Sequence, residues 1–207
     1  MSAHQQTRLT PQEYLELERA SEFKHEYFNG YMYPLGGYAM AGGSSNQAII
    51  CSNLIRELGT SLKKRPCIVT GSDLRVGVTA DGPYTYPDVT VVCGEPKYAD
   101  SRRDTLLNPV LIIEVLSPST EARDRGIKAT QYRTMTSLQE YALVWQGEAR
   151  IELFRRQPGG PWLLSETVGL EGVCRFESVD CSVALSDVYD KVTFDPDAPP
   201  VSSAEAS

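Results

Sequence analysis

The sequence predicts a mixed α/β domain, α+β in its sheet, with a helix–three strands–helix–strand core. A helix and hairpin precede that core, and further strands follow it. Three observations predict this class. Ile50, Leu54, Leu58 and Leu62 recur every four residues, the spacing of one helical face. Residues 67–78, 86–93 and 110–117 are strand-like, and the last is apolar on both faces, as a buried strand is. A second helical stretch separates them from the strand Tyr141–Trp145.

The elements follow in order. Thr10-Pro11-Gln12-Glu13 starts a helix: Thr10 caps, Pro11 fits the first turn, Glu13 completes a capping box, and the helix runs to about Ala20. Lys24–Leu35 reads as a hairpin, because Asn29-Gly30 supplies two residues that tolerate positive φ. Gly36–Gly43 is a Gly-rich joint. Ser44 or Ser45 caps the core helix, Ile55 broadens its apolar stripe, Lys63, Lys64 and Arg65 complement its dipole, and Pro66 ends it. Cys67–Val78 forms the first strand, with a kink at Gly71, Tyr86–Cys93 the second and Val110–Ser117 the third. Asp124 is expected to N-cap a helix ending near Met135. Tyr141–Trp145 and Ile151–Arg155 are strands joined at Gln146-Gly147-Glu148, Trp162–Ser165 extends the sheet, and a short helix near Ser186–Tyr189 closes it. The domain is expected over residues 10–192, between a disordered N-terminus (1–9) and a disordered acidic tail (193–207) rich in Pro, Ala and Ser.

Composition narrows the function. A chain of 207 residues fits one domain, and 41% hydrophobic with 23% charged residues is ordinary for a globular protein. The net charge is −7; residues 190–207 hold four acids and one base, leaving −4 for the rest. That excludes a wholly basic nucleic-acid coat protein and leaves room for a local basic groove. The five Cys are odd in number and lack a Cys-x-x-Cys pair. Cys51, Cys67, Cys93 and Cys174 lie among apolar neighbours and read as buried reduced thiols of a cytoplasmic protein, against a disulfide frame or zinc site. Only His4 and His25 exist, which argues against zinc-hydrolase and Ser-His-Asp chemistry. Neither a secretory signal nor a membrane span is expected, because apolar runs reach only about six or seven residues.

The chemistry concentrates in Val110-Leu111-Ile112-Ile113-Glu114-Val115-Leu116. A carboxylate inside such a strand costs several kcal/mol unless it is protonated, paired or bound to a metal. Tyr86-Pro87-Asp88-Val89 repeats the anomaly at the mouth of another strand. If the two strands are antiparallel neighbours, Asp88 meets Glu114, and a divalent cation relieves their repulsion. Oxygen ligands favour Mg²⁺ or Mn²⁺. Lys128 and Tyr132 stand one helical turn apart and share a face.

An Asp after Pro on one strand, a Glu on the next and a nearby Lys, in this element order, resemble the PD-(D/E)XK nuclease superfamily. More narrowly, the chain resembles the Uma-type restriction endonuclease family. The matching segments are Thr10–Leu15, Lys24–Gly30, Met40–Ser44, Tyr86–Val89, Asn108–Thr120, Asp124–Lys128 and Glu140–Val144. The resemblance spans about Thr10 to Tyr189 and implies a restriction-endonuclease-like fold. It implies catalytic Asp88, Glu114 and Lys128, with Mg²⁺ or Mn²⁺ on Asp88, Glu114 and the Val115 carbonyl. It also implies supporting roles for Glu26, Gln47 and Tyr132. Two positions depart from the pattern: Leu116 stands where the superfamily usually has its Lys, and Gln47 where the family commonly has His.

The function expected is hydrolysis of DNA phosphodiesters, with Lys63, Lys64, Arg65, Arg102, Arg103, Arg123, Arg125, Lys128 and Arg133 as candidate phosphate contacts. A homodimer is expected by analogy with nucleases that cut two strands, and no organic cofactor or membrane partner is expected. Two alternatives stand beside it. One is a catalytically impaired nuclease-fold module that binds nucleic acid or a protein; the other is a scaffold whose acids form only salt bridges.

Overall fold

The computed structural model describes residues 8–35, 44–117 and 120–195. Helix α1 (Pro11–Ala20) begins with the expected capping box: the Thr10 side chain accepts from the Glu13 amide, and the Glu13 carboxylate accepts from the Thr10 amide. Strands β1 (His25–Phe28) and β2 (Tyr31–Pro34) form the expected hairpin, with Asn29 at φ 51° and Gly30 at φ 90°. Helix α2 (Ser45–Leu62) is capped by Ser44.

The expected first core strand is two strands in different sheets. A turn at Gly71–Leu74 divides β3 (Cys67–Gly71) from β4 (Arg75–Gly77). The expected second strand is shorter at its start: β6 (Val89–Cys93) begins only after Pro87 and Asp88, and a separate β5 (Tyr84–Thr85) precedes it. After β7 (Thr105–Leu106) comes β8 (Leu111–Leu116).

The next helix starts earlier than expected, which corrects the reading of Asp124 as an N-cap. It consists of α3 (Glu121–Arg123), a π-helical turn (Asp124–Lys128) and α4 (Ala129–Thr134). Asp124 lies inside the run and is buried. Strands β9 (Glu140–Trp145), β10 (Arg150–Arg156) and β11 (Trp162–Val168) follow. The hairpin of β12 (Val173–Phe176) and β13 (Cys181–Ala184) is not among the expected elements; α5 (Leu185–Val188) closes the fold.

The central sheet has the order β11-β10-β9-β8-β6-β3, with β6/β8 antiparallel and β8/β9 parallel. The smaller sheet runs β2-β1-β5-β4-β7. Side-chain alternation gives β8 two jobs. Leu111, Ile113 and Val115 face α2 in a core with Ile50, Leu54 and Leu58. Ile112 and Leu116 face the other way, against Ala129, Tyr132 and Tyr141. Glu114 belongs to this second set.

One cysteine expectation is overturned. Antiparallel pairing sets Cys67 opposite Cys93, and the two form a disulfide with Cα atoms 4.0 Å apart. They are 26 residues apart in sequence, so the register between two strands, rather than a local motif, creates the pair. Cys51, Cys174 and Cys181 remain free thiols.

The Gly36–Gly43 joint, Pro118 and Ser119, residues 1–7 and the tail from 196 lie outside the described residues. Near the ends, the Leu9 amide donates to the Gly30 carbonyl, Asn46 donates to the Thr193 carbonyl, and Phe194 packs on Tyr189. Among the described residues no helix is long and apolar enough to cross a membrane.

Candidate active site

The site forms where the two sheets meet beneath the π turn. The register Val89↔Ile113 places Asp88, one residue before β6, beside Glu114. β6 does not extend past Val89, so the Val115 amide is left for a side chain: it donates to Asp88 Oδ2 at 2.7 Å. The Asp88 amide donates in turn to Glu114 Oε2 at 3.4 Å. The first turns of α2 face the same carboxylate: the Gln47 side chain favours its charged form, and after burial the Asp88 charge helps to push the Cys51 thiol up.

Lys128 enters from the other side. It is only 5% exposed, and its Nζ lies 3.2 Å from Glu114 Oε1, 3.2 Å from Glu26 Oε1 and 3.0 Å from Asp124 Oδ1. The Tyr132 hydroxyl stands one turn further on, 3.0 Å from Glu114 Oε1 and 2.9 Å from Thr85 Oγ1. Glu26, on β1, also pairs with Arg123 at 2.8 Å, and the Arg123 guanidinium lies over the rings of Phe28 and Tyr33.

Asp88, Glu114, Glu26, Tyr132 and Lys128 thus meet in one place, with Gln47 at its edge. The Val115 amide, rather than its carbonyl, makes the visible contact with Asp88. The cluster also gathers Asp124, which sequence rules make a helix cap, and Arg123, which they leave among many candidate basic residues. The signal for Asp124 was its spacing: 124, 128 and 132 differ by four, which places all three on one helical face.

The electrostatics follow from burial and from an acid surplus. Four carboxylates (Asp88, Glu114, Glu26, Asp124) meet two cations (Lys128, Arg123). Burial, then the neighbouring acids, pushes the Glu114 carboxyl well above the usual range. Burial likewise raises Asp88, against the opposing hydrogen bond from Val115. Burial works against the Lys128 charge, but Glu114, Glu26 and Asp124 outweigh it and hold its pKa above the ordinary value. Lys128 is therefore a stable ammonium, and Asp88 and Glu114 lack positive charge.

That deficit fits a divalent cation. Glu114 Oε1 is held by Lys128 and Tyr132, while Oε2, in contact with the Asp88 amide only at 3.4 Å, is turned toward Asp88. Among the described residues no group of three or more His, Cys, Asp or Glu is spaced to hold a metal. Asp88 and Glu114 would therefore share an ion with backbone and water, the pattern Mg²⁺ tolerates best.

Several candidate phosphate contacts are engaged within the fold. Arg125 forms a two-pronged pair with Glu152 at 2.5 and 2.8 Å and also bonds Glu121. Arg65 binds the Val179 and Asp180 carbonyls. Arg133 and Arg103 lie over Phe154 and Tyr98. Lys63 and Lys64 are exposed at the far end of α2 from Gln47.

A central mixed sheet with α2 on one face, the β8-to-β9 helix on the other, and acids converging at the strand ends defines a restriction-endonuclease-like protein. The chain belongs to the family described as "Uma2: Putative restriction endonuclease", whose model matches residues 11–182. It is 35% identical over 189 residues to the uncharacterized protein slr1290 of Synechocystis sp., covering 90% of this chain and 94% of that one. It is 37% identical over 161 residues to the uncharacterized protein sll1609 of the same organism, covering 78% of this chain and 88% of that one. Its fold matches the crystal structure of a "putative nuclease belonging to DUF820" from Anabaena variabilis with a TM-score of 0.70, at 17% identity over 87% of this chain and 97% of that one.

Proposed function

We propose that this protein is a divalent-cation-dependent endonuclease that hydrolyses DNA phosphodiester bonds. The observation that carries the reading is the convergence of Asp88, Glu114 and Lys128 in one buried cluster with more acid than base. Family membership supports the same class of chemistry.

Asp88 and Glu114 would hold Mg²⁺ or Mn²⁺, with the Val115 backbone beside them. A bound ion there supplies Lewis-acid polarisation of the phosphate and makes water more acidic. The chain's own residues do the rest. The Val115 amide fixes Asp88, with Gln47 beside it. Tyr132 and Lys128 fix one oxygen of Glu114 and leave the other to face Asp88. The Lys128 ammonium orients the attacking water and offsets charge developing on the phosphate. DNA is the proposed partner, and a homodimer would bring two such sites to the two strands.

A specific observation favours a second reading. Gln47 stands beside Asp88 with a side chain that cannot take up a proton. An impaired module that binds nucleic acid without cutting it would retain the cluster and lack turnover.

The test is cleavage of supercoiled plasmid during Mg²⁺ and Mn²⁺ titration, with the Glu114→Ala protein alongside. Nicking that needs metal and vanishes in the variant supports the enzyme. Metal-dependent thermal stabilisation without nicking selects the impaired module. Neither response would leave the cluster as a structural salt-bridge network.

A further inference from the structure

Asp124 has no assigned role, yet it is 2% exposed and lies inside the π turn that also carries Lys128. A π turn is a common mark of a functional position in a helix. Two buried carboxylate oxygens in this site lack a hydrogen-bond donor, Glu26 Oε1 and Asp124 Oδ1. Both face the Lys128 ammonium, at 3.2 and 3.0 Å, while that ammonium donates to Glu114 Oε1 at 3.2 Å. An ammonium has three protons and rotates freely about its last bond. Lys128 therefore has one proton for each of Glu114, Glu26 and Asp124.

We infer that Asp124 is a positioning residue: it and Glu26 hold the Lys128 ammonium in place, so that Lys128 keeps to one oxygen of Glu114 and leaves the other to a cation. This rests on the nuclease reading above and deepens it. The backbone supports the assignment. The Asp124 carbonyl accepts from the Tyr141 hydroxyl at 3.0 Å, and its amide donates to the Thr120 carbonyl, so the residue is anchored at both ends. With Asp124 made neutral, Lys128 falls back on Glu114 and resists the incoming cation.

The test compares the parent with Asp124→Asn, which keeps the shape and removes the charge, and Asp124→Glu, which keeps the charge. For Asp124→Asn, the nicking rate at saturating Mg²⁺ should fall about 10-fold or more. Its half-saturating Mg²⁺ concentration should rise several-fold, and its KM for DNA should stay unchanged. Asp124→Glu should recover part of the rate. A purely structural role would lower the melting temperature and leave kcat and the Mg²⁺ dependence alone, which would overturn the inference while the parent's cleavage upheld the nuclease reading. A parent with no metal response would instead overturn that reading. A second measurement needs no turnover: NMR of ¹⁵N-lysine-labelled, metal-free protein should show a slowly exchanging Lys128 ammonium signal. That signal should broaden or shift in Asp124→Asn and persist in Asp124→Glu. An unchanged signal in Asp124→Asn would sink the inference independently of activity.

Discussion

Lys128 and Glu114 occupy one buried pair, yet their removal should have opposite consequences. The cluster holds more acid than base, so Lys128 stabilises three carboxylates at once. Lys128→Ala should lower stability by about 3–5 kcal/mol, the cost of leaving buried acids uncompensated. Glu114→Gln removes surplus charge and keeps the shape, so it should cost less than about 1 kcal/mol or stabilise the metal-free protein. Urea unfolding without added metal checks both; equal losses would refute the acid-surplus account. Both variants should lose at least about 100-fold in nicking rate at a temperature where they are folded. The meeting of Asp88 and Glu114 was legible in the sequence, because an acid inside an apolar strand demands a partner. The role of Asp124 was not, because an acid near a helix start satisfies local rules as a cap, and only the packed site shows which way it faces.

At the level of elements, two cross-links are available to experiment. The Cys67–Cys93 disulfide joins the edge strand β3 to β6, the strand that leads out of Asp88. Thiol titration of the unfolded, unreduced protein should find three free thiols of the five cysteines. Replacing both bridged cysteines by Ser should cost about 3 kcal/mol, the loop-closure entropy of a span of this order; five titratable thiols would refute the bridge. The second cross-link ties α1 to the segment before β7. Arg19 holds both oxygens of Asp104 at 2.8 and 2.9 Å, and Arg75 adds a contact at 3.2 Å. These bonds, that of Arg19 first, pull the Asp104 carboxyl down to about 2 from its ordinary 3.8. A depressed carboxyl stabilises the fold above its unfolded pKa, and that stability fades as pH falls through 3.8 toward 2. Because the carboxylate is partly exposed, the effect is on the order of 1 kcal/mol. Asp104→Asn should remove that part of the acid sensitivity, read as a flatter melting-temperature profile between pH 5 and pH 2. The capping box and the Asn-Gly hairpin were legible because their rules are local. The split of 67–78 between two sheets was not, because strand propensity does not say which sheet takes a strand.

For the whole molecule, the homodimer proposal predicts a solution mass of about twice 22.9 kDa by light scattering. A monomer at working concentration would require two-strand cutting by successive encounters. If the cluster holds Mg²⁺ as proposed, the ion should raise the melting temperature of the parent and not of Glu114→Ala.

Local patterning is enough to locate several elements and to single out the acids. Periodicity placed α2 and β8, capping rules placed α1, and the cost of a carboxylate in an apolar strand singled out Glu114. Tertiary structure alone decided which side chains share the site. The β6/β8 register brings Asp88 to the Val115 amide, and the meeting of the two sheets brings Glu26 to Lys128. The same packing turns Asp124 inward and pairs Cys67 with Cys93. These are contacts between residues distant in sequence or choices of direction, and both are fixed by packing energy summed over the whole core rather than by any local pattern.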